Sequence, residues 1–209
     1  MQGPIRSAMS ILNVQLTRHV ALIASDTAGR LQDGGSSDWS KLHYLAHANT
    51  VIAGRGERLL LFNVLAQSSF ANGVQDFDTL LFGMQKRVDS VLTTYLGIAD
   101  KAVLHPGLTE VAVVGWSAYR GRMTAFLYRM NPVSDTVAIS EINPSLLAPN
   151  GGWEDVDAPE DSAAMVELAR DQVRHTRETF GPDAVIGGRL VIAELTRSGV
   201  SIATVGSLD

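Results

Sequence analysis

Few residues of this 209-residue chain have side chains suited to catalysis, and their types exclude several mechanisms at once. Cysteine is absent, which removes thiolate nucleophiles, disulfide frameworks and Cys-based zinc sites together. Lysine occurs three times, at Lys41, Lys86 and Lys101, although the chain carries 17 basic residues. A codon bias toward arginine accounts for that scarcity, yet it leaves each lysine amine worth placing. His43 and His47 stand four apart, but the residues between them read as strand and turn. On a strand they would share a face about 13 Å apart, so no shared metal ion is expected. His19, His105 and His175 are isolated. Neither a Gly-x-Ser-x-Gly elbow nor a phosphate-binding loop occurs, so no cofactor is expected. What remains is a set of short polar segments at the ends of apolar runs. They are Ser25-Asp26-Thr27, Lys41, Ala53-Gly54-Arg55-Gly56 and Asp183-Ala184-Val185-Ile186-Gly187-Gly188.

The elements that must position these segments follow from hydrophobic periodicity. Ile11 to Leu16 and Val20 to Ala24 read as strands joined by Thr17-Arg18-His19, hence a hairpin. Gln32 to Asp38 reads as a polar loop, and Lys41 to Leu45 with Thr50 to Ala53 as a second strand pair. A buried helix opens at Gly54-Arg55-Gly56 and carries Leu59, Leu60, Phe62, Val64 and Leu65. Asp76 is the expected N-cap of a second helix. There Phe77, Leu80, Leu81, Met84, Val88, Val91, Leu92 and Tyr95 recur at three- and four-residue steps. Glu110 to Ser117 and Met123 to Arg129 form a further hairpin, with a strand over Thr136 to Ile142. Asn143 to Pro159 reads as loop, and Glu160 to Phe180 as a helix stopped by Gly181-Pro182. Strands over Arg189 to Leu195 and Val200 to Val205 close the pattern. Strands and helices come in blocks rather than in strict alternation. That argues against a doubly wound parallel sheet and for antiparallel sheets with helices on their outer faces.

Taken together, the polar segments resemble those of the proteasome β-subunit and HslV family of N-terminal-nucleophile (Ntn) hydrolases, and the likeness extends over nearly the whole chain. In that family an aspartate ends the second strand, a lysine follows, and an Ala-Gly-x-Gly turn comes next. Here Asp26 to Lys41 is fifteen residues and Lys41 to Gly54 is thirteen, each one short of the family spacing. The resemblance implies an α+β fold, a four-layer αββα sandwich of two antiparallel sheets flanked by helices. It places the nucleophile at Ser10, sixteen residues before Asp26, with residues 1–9 a leader and residues 10–209 a single domain. In the family's mechanism the freed α-amine, with a pKa of about 8, takes the hydroxyl proton. Lys41 would favour ionisation of the nucleophile and Asp26 would hold the ammonium. Gly54 would offer its N–H to the oxyanion, and Asp183 would join the surrounding polar network.

The sequence also departs from the family pattern. Met9 stands before Ser10 where glycine is usual, Ile186 replaces a hydroxyl-bearing residue before Gly187-Gly188, and no Gly-Ser-Gly segment is recognisable. Two functions follow: a peptidase or amidohydrolase acting on a peptide or amide substrate, or a non-catalytic assembly subunit that keeps the fold. The resemblance implies a homo-oligomer. With 22 acidic residues against 17 basic ones the net charge is −5, which disfavours a nucleic-acid partner. No apolar run is long enough for a signal peptide or a membrane span, so a soluble, cytoplasmic protein without a membrane partner is expected.

Overall fold

A computed structural model describes residues 9–30, 35–71, 73–98, 108–149, 153 and 156–208. Lys101, His105, Gly151 and Gly152 therefore lie outside the described residues, as do residues 1–8 of the expected leader.

The first hairpin consists of β1 (Leu12–Leu16) and β2 (Val20–Asp26). It forms one five-stranded sheet with β10 (Ser145–Leu146), β11 (Arg189–Thr196) and β12 (Gly199–Ser207), in the order β10-β1-β2-β11-β12. The second sheet contains β5 (Leu42–Leu45), β6 (Thr50–Arg55), β7 (Thr109–Ser117), β8 (Arg122–Asn131) and β9 (Thr136–Ile142), in chain order. Every pairing is antiparallel.

Period-two alternation sends side chains to both faces of each sheet, and three cores result. Leu12, Val14, Ala21 and Ile23 meet Leu42, Val51, Ala53, Ala112, Val114 and Leu127 between the sheets. The intervening residues of the second sheet, among them Ile52, Val111, Val113, Tyr128 and Met130, pack outward on α1 (Arg58–Ser69) and α2 (Phe77–Ile98). Those of the first sheet, Ile11, Leu22, Ala24, Leu190 and Ile192, pack on α3 (Ser162–Phe180). The layers therefore run helix, sheet, sheet, helix, which is the expected αββα sandwich. Gly115 is needed for this closeness, because a Cβ there would lie 2.2 Å from the Phe77 ring.

The helix starts follow capping chemistry. Asp76 Oδ1 accepts from Thr79 N–H at 2.8 Å, as its sequence position predicts, and Asp161 Oδ1 accepts from Ala164 N–H at 2.8 Å. At its C-terminus α3 stops at Gly181, whose φ of 94° ends the helical path.

Two stretches expected as loop contain strands. Ser36–Asp38 forms β4 and pairs with β3 (Ala28–Arg30) in a small ribbon, anchored where Trp39 N–H donates to Thr27 C=O at 3.1 Å. A Ser-Ser-Asp segment has no apolar alternation, so pairing here rests on backbone bonds that a sequence pattern does not reveal. Within the stretch expected as loop from Asn143 to Pro159, Ser145–Leu146 pairs with Gln15 and Val14 as the sheet edge. The flanking prolines conceal it, although an edge strand tolerates proline nearby. β6 also runs on through Gly54 and Arg55 and Gly56 bends with a φ of 108°, so the helix expected to open at Gly54 begins at Arg58.

Candidate active site

At one end of the sandwich the two sheets contribute opposite charges to a shared buried point. The β1–β2 register pairs Leu12 with Ser25, so Ile11 runs beside Asp26 and its N–H reaches Asp26 Oδ1 at 3.1 Å. Ser10, one residue earlier, lies next to it and is 4% exposed. Lys41 immediately precedes β5 in the other sheet, and its carbonyl accepts from Gly54 N–H at 3.0 Å. The Lys41 side chain then crosses to the first sheet. Its Nζ donates to Ser10 Oγ at 2.9 Å, to Asp26 Oδ1 at 2.8 Å and to the Ala28 carbonyl. All three ammonium protons are thereby used, and the lysine is 4% exposed.

Asp26 is fully buried. Its second oxygen, Oδ2, accepts from Gly187 N–H at 3.1 Å. Burial, the strongest influence, pushes the Asp26 carboxyl above its ordinary value, while Lys41, Gly187 N–H and Ile11 N–H pull it back down. Gly187 reaches this position because both it and Gly188 have positive φ, 114° and 70°. Gly188 also passes so close to β2 that a Cβ would sit 2.9 Å from Thr27 Oγ1.

Ser10, Asp26 and Lys41 thus come together from the start of β1, the end of β2 and the start of β5. Gly54 lies opposite Lys41, but its N–H is engaged by the Lys41 carbonyl, so the amide expected to meet an oxyanion is occupied by strand pairing. Glycine is nevertheless required there, since a Cβ would lie 2.4 Å from Leu61 and 2.8 Å from the Glu110 carbonyl. Asp183 is exposed between α3 and β11, and from the same segment Gly187 meets the Asp26 carboxylate. Ile186, where the family has a hydroxyl, packs into the α3 core.

The histidines are dispersed. His43 Nε2 lies 2.9 Å from the Ser40 carbonyl, and burial lowers its pKa. His47 is exposed in a 3-10 turn over Ala46–Ala48. Among the described residues no group of three or more His, Asp and Glu side chains could hold a metal ion.

Sequence reasoning missed the Ala28 carbonyl, the Gly187 amide and a second charge cluster. In that cluster Arg55 and Arg129 both bond Glu110, with Arg129 Nε to Glu110 Oε1 at 2.8 Å. Strand register alone makes the cluster, because Arg55, Glu110 and Arg129 are direct cross-strand partners on β6, β7 and β8. It also missed the buried Asn13–Gln172 pair, where each amide donates to the other at 2.9 and 3.0 Å, tying β1 to α3. An apolar helix face interrupted by one glutamine was the available sign.

No family model matches this sequence, and no curated protein matches it either. Solved structures do match in fold. Anbu from Hyphomicrobium sp. strain MC1 aligns with a TM-score of 0.64 at 11% identity, covering 94% of this chain and 87% of its own. Anbu from Yersinia bercovieri, an ancestral beta-subunit, aligns with a TM-score of 0.64 at 10% identity, covering 93% of this chain and 87% of its own. At such identities the likeness is one of fold alone, the αββα sandwich described above. Among the described residues no helix is long and apolar enough to cross a membrane.

Proposed function

We propose that this chain is a proteasome-like Ntn hydrolase subunit acting on peptide or amide bonds, with Ser10 as the nucleophile once residues 1–9 are removed. The observation that carries this reading is the Lys41 ammonium bridging Ser10 Oγ and the buried Asp26 carboxylate. A buried lysine is costly unless paired, and here the pairing also places a positive charge on a hydroxyl. Such a charge favours the alkoxide over the alcohol.

In the proposed reaction Ser10 Oγ attacks the substrate carbonyl carbon and its proton passes to the freed Ser10 α-amine. The tetrahedral intermediate collapses as the leaving amine takes that proton, leaving an ester on Ser10. Water then hydrolyses the ester by the same proton route. Asp26, held by Ile11 N–H and Gly187 N–H, fixes the ammonium through both steps. The oxyanion donor in this scheme is an amide other than that of Gly54 unless Gly54 N–H leaves the Lys41 carbonyl. We assign the active subunit to a homo-oligomer, as the fold's resemblance implies, in the cytoplasm.

A second reading, a non-catalytic assembly subunit, is favoured by one specific feature: Gly54 N–H is already committed to strand pairing. Intact-mass measurement of freshly expressed protein separates the two. Loss of residues 1–9 together with labelling of Ser10 by an epoxyketone or β-lactone probe is expected for the hydrolase. A persistent full-length mass with no labelling would sink that reading and leave the assembly subunit.

A further inference from the structure

The end of the sandwich opposite Ser10 has a different electrostatic character. Three hairpin turns meet there. The β1–β2 turn carries Arg18, the β7–β8 turn carries Arg120 with Arg122 beside it, and the β11–β12 turn carries Arg197. Met123 N–H donates to the Arg18 carbonyl at 3.0 Å and joins the first two turns, while Asn49, from the β5–β6 connection, donates through Nδ2 to the Thr196 and Arg197 carbonyls at 3.0 Å each. His19 stacks on Trp116 at a centroid distance of 6.2 Å, and the Arg197 guanidinium covers the same indole at 5.5 Å. In a chain of net charge −5, this end gathers guanidinium groups.

Between the first two turns lies a cavity of about 460 Å³. Arg18, Arg120, Arg122, Glu141, Thr17 and Gly121 line it. One carboxylate oxygen, Glu141 Oε1, serves two guanidiniums there, Arg120 Nη1 at 2.7 Å and Arg122 Nη2 at 3.1 Å. Each guanidinium has five N–H donors, so a single shared oxygen leaves most of them for another acceptor. Arg18 is exposed and comes from the opposite sheet. Asp78 also stands by the β7–β8 turn, where its Oδ2 accepts from Tyr119 N–H at 3.1 Å.

We propose that this cavity binds a phosphate group, either inorganic phosphate or the phosphate of a small monoester. Arginine forks match the tetrahedral oxygens of phosphate better than a point charge does. Two guanidiniums that share one carboxylate, with Arg18 of the other sheet lining the same cavity, supply the charge for a dianion, and the volume falls within the usual range of small-ligand sites. The site is independent of the Ser10 chemistry, from which it is separated by the length of the strands.

Isothermal titration calorimetry on the full chain tests this with inorganic phosphate, glycerol phosphate and sulfate. Saturable binding of phosphate or of the monoester is expected, and the tighter of the two identifies the source. Arg18→Ala is expected to weaken binding at least fivefold, and Arg122→Ala likewise. Glu141→Gln, which removes the competing carboxylate, is expected to tighten it at least threefold, an outcome that loss of fold would not produce. If Arg122→Ala fails to fold, Arg18→Ala and Glu141→Gln carry the test. Equal, weak binding of all three anions by wild type and variants would mean an adventitious ion only and would overturn the proposal. So would the absence of binding. Probe labelling of Ser10 is expected to be unchanged in all these variants.

Discussion

Two charge clusters near one end of the sandwich differ in how they are assembled. Arg55, Glu110 and Arg129 are neighbours within one sheet, laid side by side by register on β6, β7 and β8. Glu110 is itself 4% exposed, but Arg55 and Arg129 are 18% and 36% exposed, so each guanidinium can be resolvated if its partner is lost. Ser10, Asp26 and Lys41 come from different sheets, and Lys41 and Asp26 are 4% and 0% exposed. The first cluster reinforces a pairing that backbone hydrogen bonds already make. The second joins the sheets at a point where water cannot replace a missing partner, and it ends on a hydroxyl rather than on another charge. A cross-strand ion pair is an ordinary way to stabilise a sheet surface. A buried ammonium held by three fixed acceptors needs either a structural or a chemical reason.

The sharpest way to break this comparison is Lys41→Ala. It leaves the buried Asp26 carboxylate without its counter-charge, with an expected stability loss of about 3–5 kcal/mol by denaturant titration. Pairing Lys41→Met with Asp26→Asn should recover most of that stability while leaving Ser10 processing and probe labelling absent. Recovery of labelling together with stability would mean the pair has no chemical role. Gly188→Ala comes next, because it forces a side chain into a φ of 70° and against Thr27 Oγ1, displacing the Gly187 amide that meets Asp26. A loss of about 1–3 kcal/mol is expected in the same titration, and a neutral result would show that the cradle adjusts freely. Glu110→Gln is expected to cost about 1–3 kcal/mol in the same titration, because Glu110 is 4% exposed and its hydrogen bonds to two guanidiniums lose their charge.

The smallest effect is a pH dependence of the first cluster. Burial works to raise the Glu110 carboxyl, but Arg55 and Arg129 outweigh it and hold the pKa below the ordinary value of 4.5. A carboxyl held low in the folded state stabilises the fold above its unfolded value. That contribution is expected to disappear as pH falls below about 4.5 toward the folded-state value. Thermal unfolding between neutral and acid pH should therefore be less steep in Glu110→Gln than in wild type. Identical slopes would show that Glu110 carries no linkage.

Much of the layer plan was legible because burial enforces period. The α2 stripe from Phe77 to Tyr95 has one solution that hides its apolar residues, and the continuous apolar runs of β2 and β7 must be covered on both faces. The ribbon of β3 with β4 and the edge strand β10 were not legible, because neither buries an apolar face large enough to leave a pattern. Gly54 shows the same limit within the site. Its residue type and spacing matched an oxyanion donor, whereas the direction of its N–H depends on where β6 ends. That strand runs one residue beyond Gly54.

By itself, then, the sequence determined antiparallel sheets with helices on their outer faces, since hydrophobic period is a local property, while the αββα sandwich and the grouping of Ser10, Asp26 and Lys41 came from its resemblance to the Ntn-hydrolase family. Only the tertiary structure decided that the Lys41 ammonium reaches both Ser10 and Asp26. It also decided that Gly187 supplies the amide on Asp26, that Asp183 is exposed, and that arginines from separate turns share one cavity. Those outcomes depend on strand register and on how the two sheets face each other, and both are set by contacts between residues far apart in the chain.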